Sequence, residues 1–402
     1  MSPDVATKGW DDKALLDLVT IKNGQVDPRE ATYRDLPLIA PDHLASQTGR
    51  LIKKESAAAQ GAISGKYLVR PGDVIYSKIR PYLQKAYKCD FVALCSADMY
   101  PLTPRPGVDS SFILHSILGS DFTNFAVSVS ARSGIPKINR EELAEYRMRV
   151  PIEAEQQAIG QALDAADDLI ATLERLIAKK QAIKQGMMQQ LFAGRSHAPN
   201  RWRECCLGEN LLRPPRYGIN AAAVPLRPGI ATYIRITDIN DDGGFDPHPK
   251  VGVAHPNAAS YILNPGELVL ARTGASVGKS YLYDPRDGEL VYAGFLINIA
   301  PDPRQLNPKF LALFVQTADY WNWVARISMR SGQPGINGRE YAQLPIALPS
   351  IDIQDTVAET FADVDQQIEV LERRLHKSCA IKIGMMQQLL TGRARLRAEA
   401  AS

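Results

Sequence analysis

Long apolar runs are missing from this sequence. No stretch approaches 18 uninterrupted apolar residues, so no membrane-spanning helix is expected. The opening MSPDVATKGWDDK has no apolar segment behind a basic start, and no secretion signal is expected from it. Cysteine is scarce: Cys89, Cys95, Cys205, Cys206 and Cys379 are odd in number, irregularly spaced and form no C-x-x-C pair. Free, inert thiols in a reducing cytoplasm are the expectation, and vicinal Cys205-Cys206 reads as a buried pair of small apolar residues. The histidines (His43, His115, His197, His248, His255 and His376) fall at no convincing metal-ligand spacing with Cys, Asp or Glu. No Ser-His-Asp arrangement has motif support, and no glycine-rich cofactor loop follows a clear strand. Catalytic residues, cofactors and metals are therefore not expected in this chain.

A strong net charge is also missing. The formal +3 neither demands nor excludes a nucleic-acid partner. Locally the balance differs: between Arg50 and Lys88 nine lysines and arginines stand against Glu55 and Asp73. A polyanion would find such a patch, and a solvated basic face accounts for it equally well. What is present is globular composition, 45% apolar and 23% charged over 402 residues, enough for two or three domains.

The chain repeats itself at a constant offset of 198. SGIPKINREELAEYRMRVP (Ser133 to Pro151) lies over SGQPGINGREYAQLPIALP (Ser331 to Pro349) without a gap. KQAIKQGMMQQLFAGR (Lys180 to Arg195) lies over SCAIKIGMMQQLLTGR (Ser378 to Arg393) in the same register. Duplication explains gapless similarity of this kind. Inside each copy, Ile159, Leu163, Ala166, Ile170, Leu173 and Ile177, and likewise Val357, Phe361, Val364, Ile368, Leu371 and Leu375, follow alternating steps of four and three. That is a heptad seam. The first helix is expected from about Glu155 to Phe192, on the order of 55 Å long at 1.5 Å per residue. Gly194 and Gly392 are the expected left-handed stops.

Narrow, regular seams favour two helices packed on each other over one helix on a broad core. The intervening segment must leave the end of one helix and return to the start of the other. Compact domains keep their termini close, which antiparallel helices permit and parallel ones do not. The expected fold class is α+β: two globular domains, a pair of long antiparallel coiled-coil helices and an internal pseudo-twofold repeat. The expected boundaries are 1–150 and 196–349 for the globular domains, 151–195 and 350–395 for the helices, and 396–402 for a tail.

The globular domains share fainter signals. Leu68-Val-Arg-Pro-Gly-Asp-Val-Ile-Tyr-Ser-Lys and Leu263-Asn-Pro-Gly-Glu-Leu-Val-Leu-Ala-Arg both read as a turn followed by a short strand. Pro37-Leu-Ile-Ala-Pro-Asp-His-Leu can be laid over Thr232-Tyr-Ile-Arg-Ile-Thr-Asp-Ile, and Trp10 and Trp202 each open a domain. A helical stretch is expected at Pro308 to Ala325. Asn139-Arg-Glu-Glu142 and Asn337-Gly-Arg-Glu340 read as capping boxes.

Two motifs mislead. Gly274-Ala-Ser-Val-Gly278-Lys279-Ser280 has three residues between its glycines where a phosphate-binding loop needs four, and a strand-like Tyr281-Leu-Tyr-Asp-Pro follows where a helix is required. A β-turn presenting Arg272, Ser276 and Lys279 is the better reading, with DNA phosphate or bases as the ligand. Pro214-Pro215-Arg216-Tyr217 is like the loop of amino-methyltransferases, but Arg213 stands where that loop has Asn or Asp, so methyl transfer by this chain is not expected.

In the S-G-x-x-x-I-N segment, the Pro-ended strand, the Gln-containing helix start and the terminal M-M-Q-Q-L-[FL]-x-G-R, the chain resembles the specificity subunit of type I restriction-modification systems. The resemblance covers the whole chain in order: variable domain, shared helix, variable domain, shared helix. It implies a non-catalytic DNA reader, each domain taking one half of a split, asymmetric target in double-stranded DNA while the helices set the spacing. It also implies two adenine methyltransferase subunits using S-adenosylmethionine, and two motor-nuclease subunits using ATP and Mg, as partners. The expected DNA-binding residues are Lys78, Arg80 and Lys85 in the first domain and Arg272, Ser276 and Lys279 in the second, after the Pro-Gly turns. Arg132-Ser133 and Arg330-Ser331, each an arginine beside a flexible turn, are further candidates. A helical protein–protein scaffold that never touches DNA is the competing reading, and an ATP hydrolase built on Gly278-Lys279-Ser280 a third.

Overall fold

The computed structural model describes residues 9–130, 134–193, 202–329 and 334–396. Contacts divide the chain into two compact units, Met1–Leu176 with Leu371–Ser402, and Ile177–Val370. Each unit therefore holds one globular domain, the near part of one long helix and the far part of the other.

The long helices are Glu153–Ala193, of 41 residues, and Ile351–Leu389, of 39. Both extend slightly beyond the range the seam alone indicates. Acidic residues (Glu153 and Glu155; Asp352) occupy the first turns, where the helix dipole favours them. Gly392 is left-handed at φ 71°, the expected stop, while Gly194 lies outside the described residues. In the first unit Glu155 meets Arg395 and Asp167 meets Lys382, each at 2.6 Å. In the second, Lys180 meets Gln367 at 2.5 Å and Lys184 meets Asp365 at 2.6 Å. As the number rises on one helix it falls on its partner, so the pairing is antiparallel.

The seam is not purely helix against helix. Ile159 and Leu163 are fully buried in the first domain's core beside Phe112 and Ile117, and Leu389 joins them. In the second unit Phe361, Met188 and Phe192 enter a core with Phe310 and Phe314. The start of each helix thus does lie on a broad core. The M-M-Q-Q-L segment repeats because its apolar residues are core residues of a domain.

Each domain is closed by a two-stranded antiparallel pair leading into its helix: Asp11–Ala14 with Arg147–Val150, and Arg203–Cys206 with Pro345–Leu348. The central sheet of the first domain runs Val19–Ile21, Met99–Pro104, Val74–Ser77, Ala86–Lys88, all antiparallel. That of the second runs Arg216–Tyr217, Leu296–Ile299, Leu268–Ala271, Ser280–Leu282 in the same arrangement. Each domain adds a sheet with a parallel pair, Leu38–Ile39 with Ala93–Cys95 and Ala231–Ile234 with Leu290–Tyr292. A 3-10 turn follows at Pro41–His43 and at Ile236–Asp238, as the overlay of these segments anticipates.

Some expectations change. Pro308 to Ala325 is two helices, Pro308–Phe314 and Ala318–Ser328, because Thr317 caps the second by accepting from Tyr320 N–H. Cys205 and Cys206 are both half-buried, at the end of the strand Arg203–Cys206, and are not a buried pair. Both capping boxes are present: Asn139 with Glu142 and Asn337 with Glu340, each bonding reciprocally.

A buried glutamine locks each helix start. Gln156 donates to Pro151 O at 2.9 Å and accepts from Asp109 N–H at 3.1 Å; Gln354 donates to Pro349 O at 3.0 Å and accepts from Asn307 N–H at 2.9 Å. Asp109 and Asn307 are themselves the N-caps of the next-packed helices, so one side chain fixes both elements. No helix among the described residues is long and apolar enough to cross a membrane.

Candidate nucleic-acid interface

The Pro-Gly turns set up the site. Gly72 and Gly266 adopt φ of 91° and 86°, conformations open to glycine and strained for other residues. Each turn is closed by the acid that follows: Arg70 N–H donates to Asp73 and Asn264 N–H to Glu267. Both carboxylates are buried, and each meets a cation, Lys22 at 2.5 Å or Arg213 at 2.6 Å. The central strands then deliver Lys78 and Arg272 to one edge of the sheet.

That edge is built on a single backbone frame in both domains. Lys78 N–H donates to Asp98 O and Arg272 N–H to Phe295 O, both at 3.0 Å. Ile138 N–H donates to Lys78 O at 3.0 Å and Ile336 N–H to Arg272 O at 2.8 Å. Arg80 N–H donates to Pro136 O at 2.8 Å and Gly274 N–H to Pro334 O at 3.1 Å. Ser77 N–H donates to Lys85 O at 2.9 Å and Ala271 N–H to Lys279 O at 2.8 Å. Lys78 therefore corresponds to Arg272, Arg80 to Gly274, Lys85 to Lys279 and Asp98 to Phe295.

The side chains on the frame differ. In the first domain Lys78 lies 5.5 Å and Arg140 5.9 Å from the ring centre of Tyr100, and a backbone bridge brings Lys137 opposite Ile79. Burial lowers the Lys78 ammonium below its ordinary pKa, and Lys137 adds to this against the opposing pull of Asp98. Arg80 is exposed and left-handed at φ 50°. Lys85 reaches back to Pro41 O at 2.6 Å.

In the second domain Arg272 lies over Tyr217, its guanidinium carbon 4.8 Å from the ring centre, with its Nε buried and unpartnered among the described residues. Tyr217 is itself pinned, its hydroxyl accepting from Gly338 N–H at 3.1 Å. Lys279 pairs with the exposed carboxylate of Asp241 at 2.7 Å. Ser276 ends a single 3-10 turn, Gly274–Ser276. This Gly274-to-Ser280 segment joins antiparallel strands, as the sequence indicates, and is no phosphate loop. Gly278 is required there: a Cβ would fall 2.8 Å from Val324 Cγ1.

Sequence reasoning missed Lys137 and Arg140 in the first rim, and Tyr217 and Phe295 in the second. A signal existed for the first two: Lys137 inside the repeated S-G-x-x-x-I-N segment and Arg140 directly after it stand opposite Gly335 and Gly338 at the constant offset. The other two depend on strand pairing. Arg132, Ser133, Arg330 and Ser331 lie outside the described residues. The basic run from Arg50 to Lys88 is largely not a patch. Arg50 binds Glu174, Lys53 binds Glu55, Lys88 binds Asp164, Lys54 covers the Phe91 ring, and Lys66 is spent on Ser64. Among the described residues no three His, Cys, Asp or Glu side chains are grouped to hold a metal.

Fold and site together define a duplicated α+β protein with two matched, differently furnished sheet edges and an antiparallel helical pair. The profile of the type I restriction modification DNA specificity domain matches residues 7–185 and again 225–377. The chain belongs to that family, the non-catalytic specificity subunits of type I restriction-modification systems. Over 169 residues it is 32% identical to the EcoDI specificity subunit of Escherichia coli, an alignment covering 41% of this chain and 37% of that one. It is 21% identical over 392 residues to the EcoKI specificity subunit of Escherichia coli strain K12, covering 92% of this chain and 79% of that one. Among solved structures it is similar to the type I S subunit from M. genitalium, with a TM-score of 0.62 and 15% identity over 95% of this chain and 96% of that one.

Proposed function

We propose that this chain is the sequence-reading subunit of a type I restriction-modification complex, each domain taking one half of a bipartite, asymmetric site in double-stranded DNA. The observation that carries the reading is the shared backbone frame with different side chains. A common frame docks both domains alike, while Lys78, Arg80 and Arg140 on one and Arg272 and Tyr217 on the other read different bases. Arg80 supports it further. It holds a left-handed conformation where the second copy has Gly274, and such strain is typical of functional positions.

In this reading the domains are 1–150 and 196–349, the helices 151–195 and 350–395 set the distance between half-sites, and 396–402 is a tail. Lys85, Ser276 and Lys279 contact the backbone or bases, as do Arg132-Ser133 and Arg330-Ser331. Two adenine methyltransferase subunits dock on the helices, where Leu169 and Leu176 are exposed one heptad apart. Two motor-nuclease subunits complete the complex in the cytoplasm. S-adenosylmethionine, ATP and Mg belong to those partners.

Selection from random duplexes with the chain co-purified with its methyltransferase tests the reading. Two unlike short motifs at a fixed separation are expected, with affinity falling steeply with salt. Equal affinity for every duplex would overturn it, and no binding to any duplex would favour the protein–protein scaffold.

A further inference from the structure

Resting on the DNA-reading function above, one further assignment follows from a corner common to both rims. The bonds from Lys78 N–H to Asp98 O and from Arg272 N–H to Phe295 O hold residues 98 and 295 at the same place, beside the central cation. The two side chains have opposite chemistry. Asp98 is exposed, its carboxylate accepts hydrogen bonds only, and it pulls electrostatically on the ammoniums of Lys78 and Lys66 without a close ion pair to either. Phe295 is 57% exposed.

Phe295 is not exposed because its turn is slack. Leu296 N–H donates to Ala293 O at 2.8 Å, Ala293 N–H donates to Ile234 O at 3.0 Å, and Ile219 bridges to Ala293. Ala293 and Leu296, on either side, are buried. A rigid turn thus presents an aromatic ring to solvent next to a guanidinium already fixed by Tyr217. Exposed apolar side chains are common on protein surfaces; what singles this ring out is its rigid mount at the matched corner beside the central cation, where an apolar partner would gain from covering it.

We infer that this corner is where each domain selects a base by its major-groove edge: Phe295 packs on the C5-methyl of a thymine, and Asp98 accepts from the N4 amino group of a cytosine. The methyl group is the one apolar feature of the major-groove code, and a carboxylate at the same corner suits the cytosine donor. The two halves of the target therefore differ at the matching position, thymine in one and cytosine in the other.

The test is random-duplex selection with the full chain and its methyltransferase subunits, for the wild type, Phe295→Asp, Phe295→Leu and Asp98→Phe. Phe295→Asp is expected to lose the thymine preference at one position of one half while the other half stays unchanged. Phe295→Leu keeps it, and Asp98→Phe changes one position of the opposite half. Replacing that thymine by deoxyuridine, which lacks only the methyl, should weaken wild-type binding about fourfold and leave Phe295→Asp indifferent. A two-part motif unchanged in Phe295→Asp, or an equal uridine penalty in both proteins, overturns this inference and leaves the DNA-reading function standing. A wild type with no motif overturns both.

Discussion

At the scale of residues, the two rims show how one backbone frame carries different chemistry. Arg80 is the sharpest case. A left-handed L-residue costs about 1–2 kcal/mol, partly offset against glycine by the greater freedom of an unfolded glycine. Arg80→Gly is therefore expected to keep or slightly raise stability while weakening DNA binding, measured by denaturant titration and by fluorescence anisotropy on the selected duplex. Loss of stability without loss of affinity would make Arg80 structural. Arg272→Ala should cost about 1–3 kcal/mol of discrimination and relax one position of one half-site, read from the methylated motif. Lys78 carries a pH signature. Its pKa is lowered in the fold, so its charge costs stability in full below that value, and the cost fades as pH rises from the folded pKa to the ordinary lysine pKa. A bound phosphate or base acceptor favours the charged form. Affinity should thus fall on the alkaline side earlier than for an ordinary lysine, and Lys78→Arg, which stays charged, should abolish that early limb.

At the scale of elements, the mounting of each domain on its helix rests on a few side chains. Gln354→Ala leaves Asn307 N–H and Pro349 O without their partner in a buried place, at a cost of about 1–3 kcal/mol. Faster hydrogen exchange in Pro308–Phe314 and in the first turns of Ile351–Leu389 is the expected readout. The first domain adds a polar clamp centred on Asp164, where the second copy has Ala362. Asp164, on the long helix, accepts from Ser111 at 2.6 Å and Lys88 at 2.7 Å and meets fully buried His115 at 2.7 Å. Burial alone would raise the Asp164 carboxyl, but these hydrogen bonds together outweigh it and hold it well below the usual carboxylate range. A depressed acid contributes stability above its unfolded pKa and loses it as pH falls through the folded one. The first domain should therefore keep this clamp under mild acid, and Asp164→Ala should make its helix Ser110–Leu118 exchange faster at neutral pH. In the second unit the end of the first long helix packs through aromatic contacts, Phe192 with Trp202, Phe310 and Phe314 at 5.6–6.0 Å, which should be indifferent to pH.

At the scale of the whole molecule, the proposed ruler makes its own prediction. Adding one in-register heptad to the middle of each long helix preserves the seam and lengthens it by about 10 Å. The spacer between half-motifs should grow by about three base pairs of 3.4 Å each, with both half-motifs unchanged. Sequencing of methylated sites checks this; a constant spacer would show that the helices do not set it.

The heptad seams, the capping boxes and the Pro-Gly turns were legible because each needs only residues a few positions apart, and the duplication because it keeps one offset without a gap. The antiparallel direction also followed, from chain connectivity. The rims were half legible. Lys78 and Arg272 sit directly after a strand that a turn announces, but Tyr217, Phe295 and Arg140 join them only through strand pairing and a long-range bridge. The basic run up to Lys88 misled because charge counts say nothing of partners, and Glu174 and Asp164 lie far along the chain on the helix. The sequence by itself thus determined the doubling and the long helices, since hydrophobic spacing is a local property. Only the tertiary structure decided which cations are tied up in ion pairs and which remain at the sheet edges, because pairing across strands and onto a helix is set by packing between distant segments.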